Sequence, residues 1–86
     1  MASQVWYVYV LYSTTTGKLY TGISTDVTAR LARHNSGKGA KYTRAGRPWQ
    51  VVWVRKTANK SEALKLEFII KKMRRQEKLL MTGLAA

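Results

Sequence analysis

The chain has 86 residues, 45% of them apolar, with sixteen Lys and Arg against four Asp and Glu. That length gives one small domain, residues 1–86, and that apolar share makes it fold rather than stay disordered. The absence of cysteine and a single histidine exclude disulfides, Fe–S clusters and thiolate or His-rich zinc sites. No run approaches the about 18 apolar residues of a membrane span, and MASQVWYVYV lacks the basic start and cleavage site of a signal peptide. The expected location is therefore the cytoplasm, with no membrane partner. A formal charge of +12 points to an anionic partner, nucleic acid ahead of a membrane surface or an acidic protein. From Val27 through Ser61 every charged side chain is basic, and the only carboxylate side chains of the chain are Asp26, Glu62, Glu67 and Glu77.

Val5 to Tyr12, VWYVYVLY, is aromatic and β-branched without a charge, the pattern of a strand covered on both faces. Ser13 to Gly17 reads as a turn, and Leu19 to Ile23 as the second strand of an antiparallel hairpin. Alternation puts Tyr7, Tyr9 and Leu11 on one face, and Trp6, Val8 and Val10 on the other. Ser24-Thr25-Asp26 reads as a hydroxyl cap followed by an acid in the first turn of a helix reaching about Asn35. Arg30 and His34 lie within about 60° of Val27, on the apolar side of that helix. Two polar groups there either point into a cleft or cover an edge of the core.

Ser36 to Lys41 reads as a mobile basic loop, and Trp49 to Val54, after Pro48, as a third strand. Asn59 and Glu62 have capping-box spacing, opening a helix whose apolar stripe is Ala63, Leu66, Ile69, Ile70 and Met73. Lys71, Lys72, Arg74 and Arg75 give it a cationic end. Gln76 to about Met81 reads as a short further helix, and residues 83–86 as a fraying end. The expected fold is α/β of the α+β kind: a small three-stranded, mainly antiparallel sheet flanked by helices, in the order ββ-α-β-α.

Few residues offer chemistry. Tyr9 and Tyr20 stand on the two strands of the hairpin; they are either a cross-strand aromatic pair or phenols that orient or deprotonate a water. The second role needs a phenol pKa lowered from about 10 by nearby cations. Gly22 either permits the bend into the helix or lets a phosphate approach the backbone. Arg30 is a solvated side chain or a phosphate clamp, and His34 a structural histidine or a group that positions water. Glu67, at the border of the last helix's stripe, either pairs with Lys71 or holds a divalent cation completed by water and phosphate. Glu62 reads as a cap, Glu77 as a surface charge and Asp26 as a helix-start residue. The loop lacks GxxxxGK[ST], so no nucleotide cofactor is expected. Lys38, Lys41 and Arg44 read instead as contacts to a nucleic-acid backbone, and Tyr42, Trp49 and Trp53 as base stackers or, for the tryptophans, strand core.

Together, these positions resemble the GIY-YIG endonuclease superfamily. Tyr7-Val8-Tyr9 corresponds to the first half-motif and Tyr20-Thr21-Gly22 to the second, followed by TARLARHN with Arg30 and His34 and by the late helix EALKLEFIIKK. The resemblance covers about Val5 to Met73. It is nearest to the short stand-alone bacterial members and to the nuclease domain of structure-specific enzymes, whose NSGKGAKYTRAGRPW-like run is also present. Tyr7-Val8 replaces the name-giving Gly-Ile, so that Tyr7, on Tyr9's face, crowds or extends the cleft; Thr21 replaces an Ile that points away from Tyr20.

The resemblance implies a divalent-metal-dependent, structure-selective cut of a DNA phosphodiester, in DNA repair or recombination. By position, Tyr9 is then the general base or its organiser and Tyr20 its partner at the scissile phosphate. Arg30 is the transition-state cation, His34 an auxiliary residue and Glu67 the single ligand of one weakly bound Mg²⁺ or Mn²⁺. Lys18, Gly22, Lys38, Lys41 and Arg44 contact the nucleic acid, with RNA not excluded as substrate. The alternative class is a non-catalytic basic nucleic-acid-binding module, and a third an adaptor for an acidic protein.

Overall fold

The computed structural model describes residues 4–85. Its elements run β1 (Trp6–Ser13), β2 (Leu19–Ser24), α1 (Val27–Asn35), β3 (Trp49–Thr57), α2 (Lys60–Lys72) and α3 (Arg75–Thr82), with a single 3₁₀ turn at Lys41–Thr43. The sheet order is β2-β1-β3, and both pairings are antiparallel. β1 is therefore the central strand, which is why its uninterrupted apolar run is buried on both faces from Val8 through Leu11. Val8 and Val10 pack against Ala63 and Ile70 of α2, with Met81 of α3 joining them. Tyr9 and Leu11 pack on the other face with Trp49, Val27 and Leu31, under α1.

The α+β class and the element order agree with the expectation, and the tail adds α3 as a full element. Four details differ. β3 runs on through Arg55 and Lys56, because an edge strand tolerates exposed charges that alternation alone reads as loop. The cap of α1 is Asp26 itself, whose Oδ1 accepts from Ala29 N–H at 3.0 Å, while Ser24 Oγ braces the Asp26 backbone. Glu77 is no idle surface charge: Oε1 accepts the Arg74 N–H at 2.9 Å and closes the start of α3. Ile69 leaves the apolar stripe and stands 59% exposed beside Phe68 on the outer face of α2.

The capping spacing at α2 holds, since Asn59 Oδ1 accepts from Glu62 N–H and Glu62 Oε2 from Ala58 N–H. Gly83, with φ of +79°, ends α3, and Leu84 and Ala85 fold back onto the Leu79 carbonyl. Ala86, the last residue of the expected fraying end, lies outside the described residues, as do the first three of the N-terminal stretch.

The segment between α1 and β3 is held rather than loose. Asn35 closes it with two bonds to the Trp49 backbone: Oδ1 accepts the N–H at 2.6 Å and Nδ2 donates to the carbonyl at 3.1 Å. The Trp49 indole donates to Thr43 O at 2.7 Å, and Ser13 Oγ donates to Gly46 O at 2.7 Å. Replacing Asn35 by Ala leaves the Trp49 N–H without its partner. Urea unfolding should show a loss of about 1–3 kcal/mol; an unchanged midpoint would show that the clasp is not needed.

Candidate active site

Tyr9 lies opposite Gly22 in the β1–β2 register. A Cβ at Gly22 would stand 2.6 Å from Tyr9 Oη and 2.7 Å from Cζ, far inside contact distance. The room left by the missing side chain is thus taken by the Tyr9 phenol, which lies across the edge strand. The missing side chain at Gly22 therefore makes room for the Tyr9 ring, a role distinct from either expectation for that glycine.

The phenol meets His34, which α1 presents from its last turn at only 2% exposure. His34 Nε2 lies 3.1 Å from Tyr9 Oη, and Nδ1 lies 2.8 Å from Thr43 Oγ1. Thr43 Oγ1 also lies 2.8 Å from Ala40 O, to which only the hydroxyl can donate. Its one proton serves that carbonyl, so Nδ1 carries the proton that Thr43 accepts. Nε2 is then a bare lone pair, and Tyr9 donates to it. A Cβ at Gly39 would collide with the His34 ring and backbone, so the glycine-rich loop is moulded to the histidine.

Electrostatics support these proton positions. Burial first, then Arg30 and Arg33, lowers the His34 pKa below its usual value, so the ring stays neutral. Burial also raises the Tyr9 phenol well above its ordinary range, with Tyr20 and Glu67 adding to the rise and Arg30 opposing it. The expectation of a phenol made acidic by cations is reversed here, because desolvation of a 2% exposed ring outweighs one guanidinium. Tyr9 rests as a phenol, and the accepting lone pair nearby belongs to His34.

Around this pair stand the other site residues. The Tyr20 ring lies 5.0 Å from that of His34 and 6.4 Å from that of Tyr9, centroid to centroid. Arg30 is exposed rather than inward, yet close enough to act on the charge of both Tyr9 and His34. Glu67 reaches Tyr9 by the same measure; its side chain is 18% exposed and pairs with Lys71 at 3.3 Å. The pairing with Lys71, one of the two readings of Glu67, is the one this geometry contains. Tyr7 lines a cleft of ≈ 330 Å³ with Asp26 and Val54 that includes none of these site residues.

Lys18 lies with its ammonium 5.7 Å from the Tyr42 ring, while Lys38, Lys41 and Arg44 are exposed on the segment after α1. Trp49 is buried and Trp53 half-buried against the α2-side core, so Tyr42, 51% exposed, is the most open of the three proposed stackers. Thr43, which sets the state of His34, carries no signal in the sequence; a threonine nine residues after a histidine fits no local repeat.

Among the described residues no three carboxylate, histidine or cysteine groups cluster as a ready metal site. Glu67 is a lone, partly exposed carboxylate, and carboxylate oxygen suits a hard divalent cation. The fit holds on condition that water and a substrate phosphate supply the other ligands.

Two results test this arrangement. Gly22→Ala must push the Tyr9 phenol off its seat, and overpacking of this kind should cost about 1–3 kcal/mol in urea unfolding; unchanged stability would contradict the packing. The His34 pKa in the fold lies below its unfolded value of about 6.5. The unfolded chain therefore binds the proton first, and stability is lost as pH falls through 6.5 toward the folded pKa. Between pH 7 and 5, His34→Asn should show a shallower loss than wild type; equal slopes would remove His34 as the cause.

Comparison with known proteins agrees with the architecture. The family model of the GIY-YIG catalytic domain matches residues 5–80. A UPF0213 protein of Staphylococcus epidermidis is 54% identical over 65 residues, covering 76% of this chain and 79% of its own. Another UPF0213 protein, from Cupriavidus pinatubonensis, is 49% identical over 74 residues, covering 86% and 81%. The solution structure of a Bacillus halodurans UPF0213 protein superposes with a TM-score of 0.58 at 40% identity, covering 93% of this chain and 84% of that one. A solution structure of an E. faecalis protein gives 0.60 at 35% identity, covering 96% and 88%. With a sheet, a tyrosine pair and a helix-borne histidine all falling within the matched span, the chain belongs to the GIY-YIG family.

Proposed function

We propose that the chain is a divalent-metal-dependent endonuclease that hydrolyses DNA phosphodiesters, selective for branched or flapped structures, and that it acts in the cytoplasm in DNA repair or recombination. One observation carries this reading: a buried Tyr9 phenol that donates to a neutral His34, with Arg30 and Glu67 close enough to act on its charge. A non-catalytic binding module has no need of that arrangement.

In the proposed reaction, Tyr9 Oη holds the attacking water through a free lone pair. As the water's oxygen forms its bond to phosphorus, its proton passes to Tyr9 Oη and the phenolic proton passes to His34 Nε2. The ring becomes an imidazolium whose Nδ1–H stays on Thr43. The bond to the leaving sugar oxygen breaks, that oxygen takes a proton from solvent, and the imidazolium returns its Nε2 proton through Tyr9 Oη to solvent. Arg30 offsets the charge gathering on the phosphoryl oxygens, and Tyr20 packs beside the reacting phosphate. A single Mg²⁺ or Mn²⁺ held by Glu67 would supply Lewis-acid stabilisation of those oxygens. Lys18, Lys38, Lys41 and Arg44 draw in the backbone.

Incubation with supercoiled plasmid and with branched, flapped and single-stranded DNA tests the proposal. Wild type should cut one strand at a time in Mg²⁺ or Mn²⁺ and stop in chelator. Glu67→Ala should abolish cutting while keeping DNA binding, and Arg30→Ala should slow turnover by about 10²-fold or more. No cutting of any substrate by wild type would leave a binding module. Neutralising Lys38 and Lys41 should lower the salt slope of duplex binding by about 0.9 per lost phosphate contact; an unchanged slope would take both lysines off the backbone.

A further inference from the structure

A second constellation lies beside the cutting residues and shares only Lys18 with the groups assigned to the backbone. Lys18, Leu19, Tyr42, Arg75 and Lys78 line a cleft of ≈ 230 Å³ between the hairpin turn, the 3₁₀ turn and the first turn of α3. Three of the five are cations, and no acidic side chain lines the cleft. Like charges gathered around one hollow repel, and an anion placed among them relieves that repulsion. Arg75 is anchored rather than adrift: Nη2 donates to Gly17 O at 2.8 Å. That bond uses one of the five guanidinium N–H groups and leaves others for a ligand.

The aromatic wall sets this cleft apart from a plain basic patch. Tyr42 is 51% exposed, although its ring stacks on that of Tyr20 at 6.1 Å and 26°. Tyr20 in turn lies against His34 and Tyr9. Tyr42 therefore carries the aromatic row from the reacting centre out to the three cations, with the Lys18 ammonium 5.7 Å from its ring. The Tyr42 ring also tilts against Trp49 at 6.2 Å, yet half of the residue stays exposed; a phosphate held among cations beside such an exposed aromatic side chain has the layout of a bound nucleotide.

We propose that this cleft is a nucleotide subsite in which Lys18, Arg75 and Lys78 hold one phosphate and Tyr42 packs against the base attached to it. Its use rests on the nuclease reading above: the occupant is the nucleotide flanking the cut, with its base turned out of the stack onto Tyr42. Binding itself requires no cleavage, and the two readings can therefore fail separately.

The test is a titration of ¹⁵N-labelled protein with thymidine 5′-monophosphate, with thymidine and inorganic phosphate as separate arms. Saturable shifts should centre on Lys18, Tyr42, Arg75 and Lys78. Tyr42→Ala should weaken the monophosphate about tenfold and leave inorganic phosphate unchanged. The Arg75→Ala, Lys78→Ala double variant should bind the monophosphate no better than thymidine. If Tyr42→Ala does not fold, Tyr42→Leu keeps the bulk and removes the ring. Shifts spread over the basic surface, or variants that bind as wild type does, would overturn the subsite. A protein that binds the monophosphate here yet cuts no DNA keeps the subsite and loses the nuclease reading. One that cuts DNA without these shifts does the reverse.

Discussion

The hydrogen bond from the Tyr9 phenol to His34 is the contact on which the site is built, and the fold supplies its conditions from four separate segments. Gly22 gives the phenol its seat on the edge strand, and Gly39 gives the imidazole room against the loop. Thr43 accepts from Nδ1 and so leaves Nε2 bare. The Trp49 indole and the Asn35 clasp hold Thr43's segment in place behind the histidine. Loss of any of these loosens a buried polar pair that water would otherwise satisfy, and that is costly in a core this small.

Burial does two things at once for this pair. It keeps Tyr9 protonated and His34 neutral, so the proton between them rests on oxygen and faces an empty acceptor. The surrounding charge of +12 would by itself favour a phenolate, and desolvation outweighs it. Burial thus outweighs the Arg30 guanidinium at Tyr9 and acts in the same direction as it at His34. Lys71 beside Glu67 and the arginines of α1 stay at the rim, where solvent screens them.

Much of this was legible in the residues. The charge-free run of β1 announces a central strand, and the helical spacing of Arg30 and His34 announces two polar groups on an apolar side. His34 resolves that oddity by entering the core, and Arg30 by leaving it for the rim. Local patterns fail where the cause is distant. Arg55 and Lys56 look like loop because pairing to β1 is not visible in their own spacing. Ile69 falls at a core interval, yet the neighbouring elements do not reach its side of α2. The direction of the Tyr9 shift depends on burial, which no motif records. Thr43 and Arg75 reach their partners, and Lys78 its cleft, only after the chain has folded back on itself, so no spacing rule finds them.

The most direct test of the central claim is the ¹⁵N spectrum of the His34 imidazole in the folded protein near pH 7. The ring should be neutral with its proton on Nδ1 and Nε2 unprotonated, and should titrate below the ordinary histidine value. A ring protonated on Nε2, or an imidazolium at that pH, would reverse the Tyr9 bond and contradict that claim.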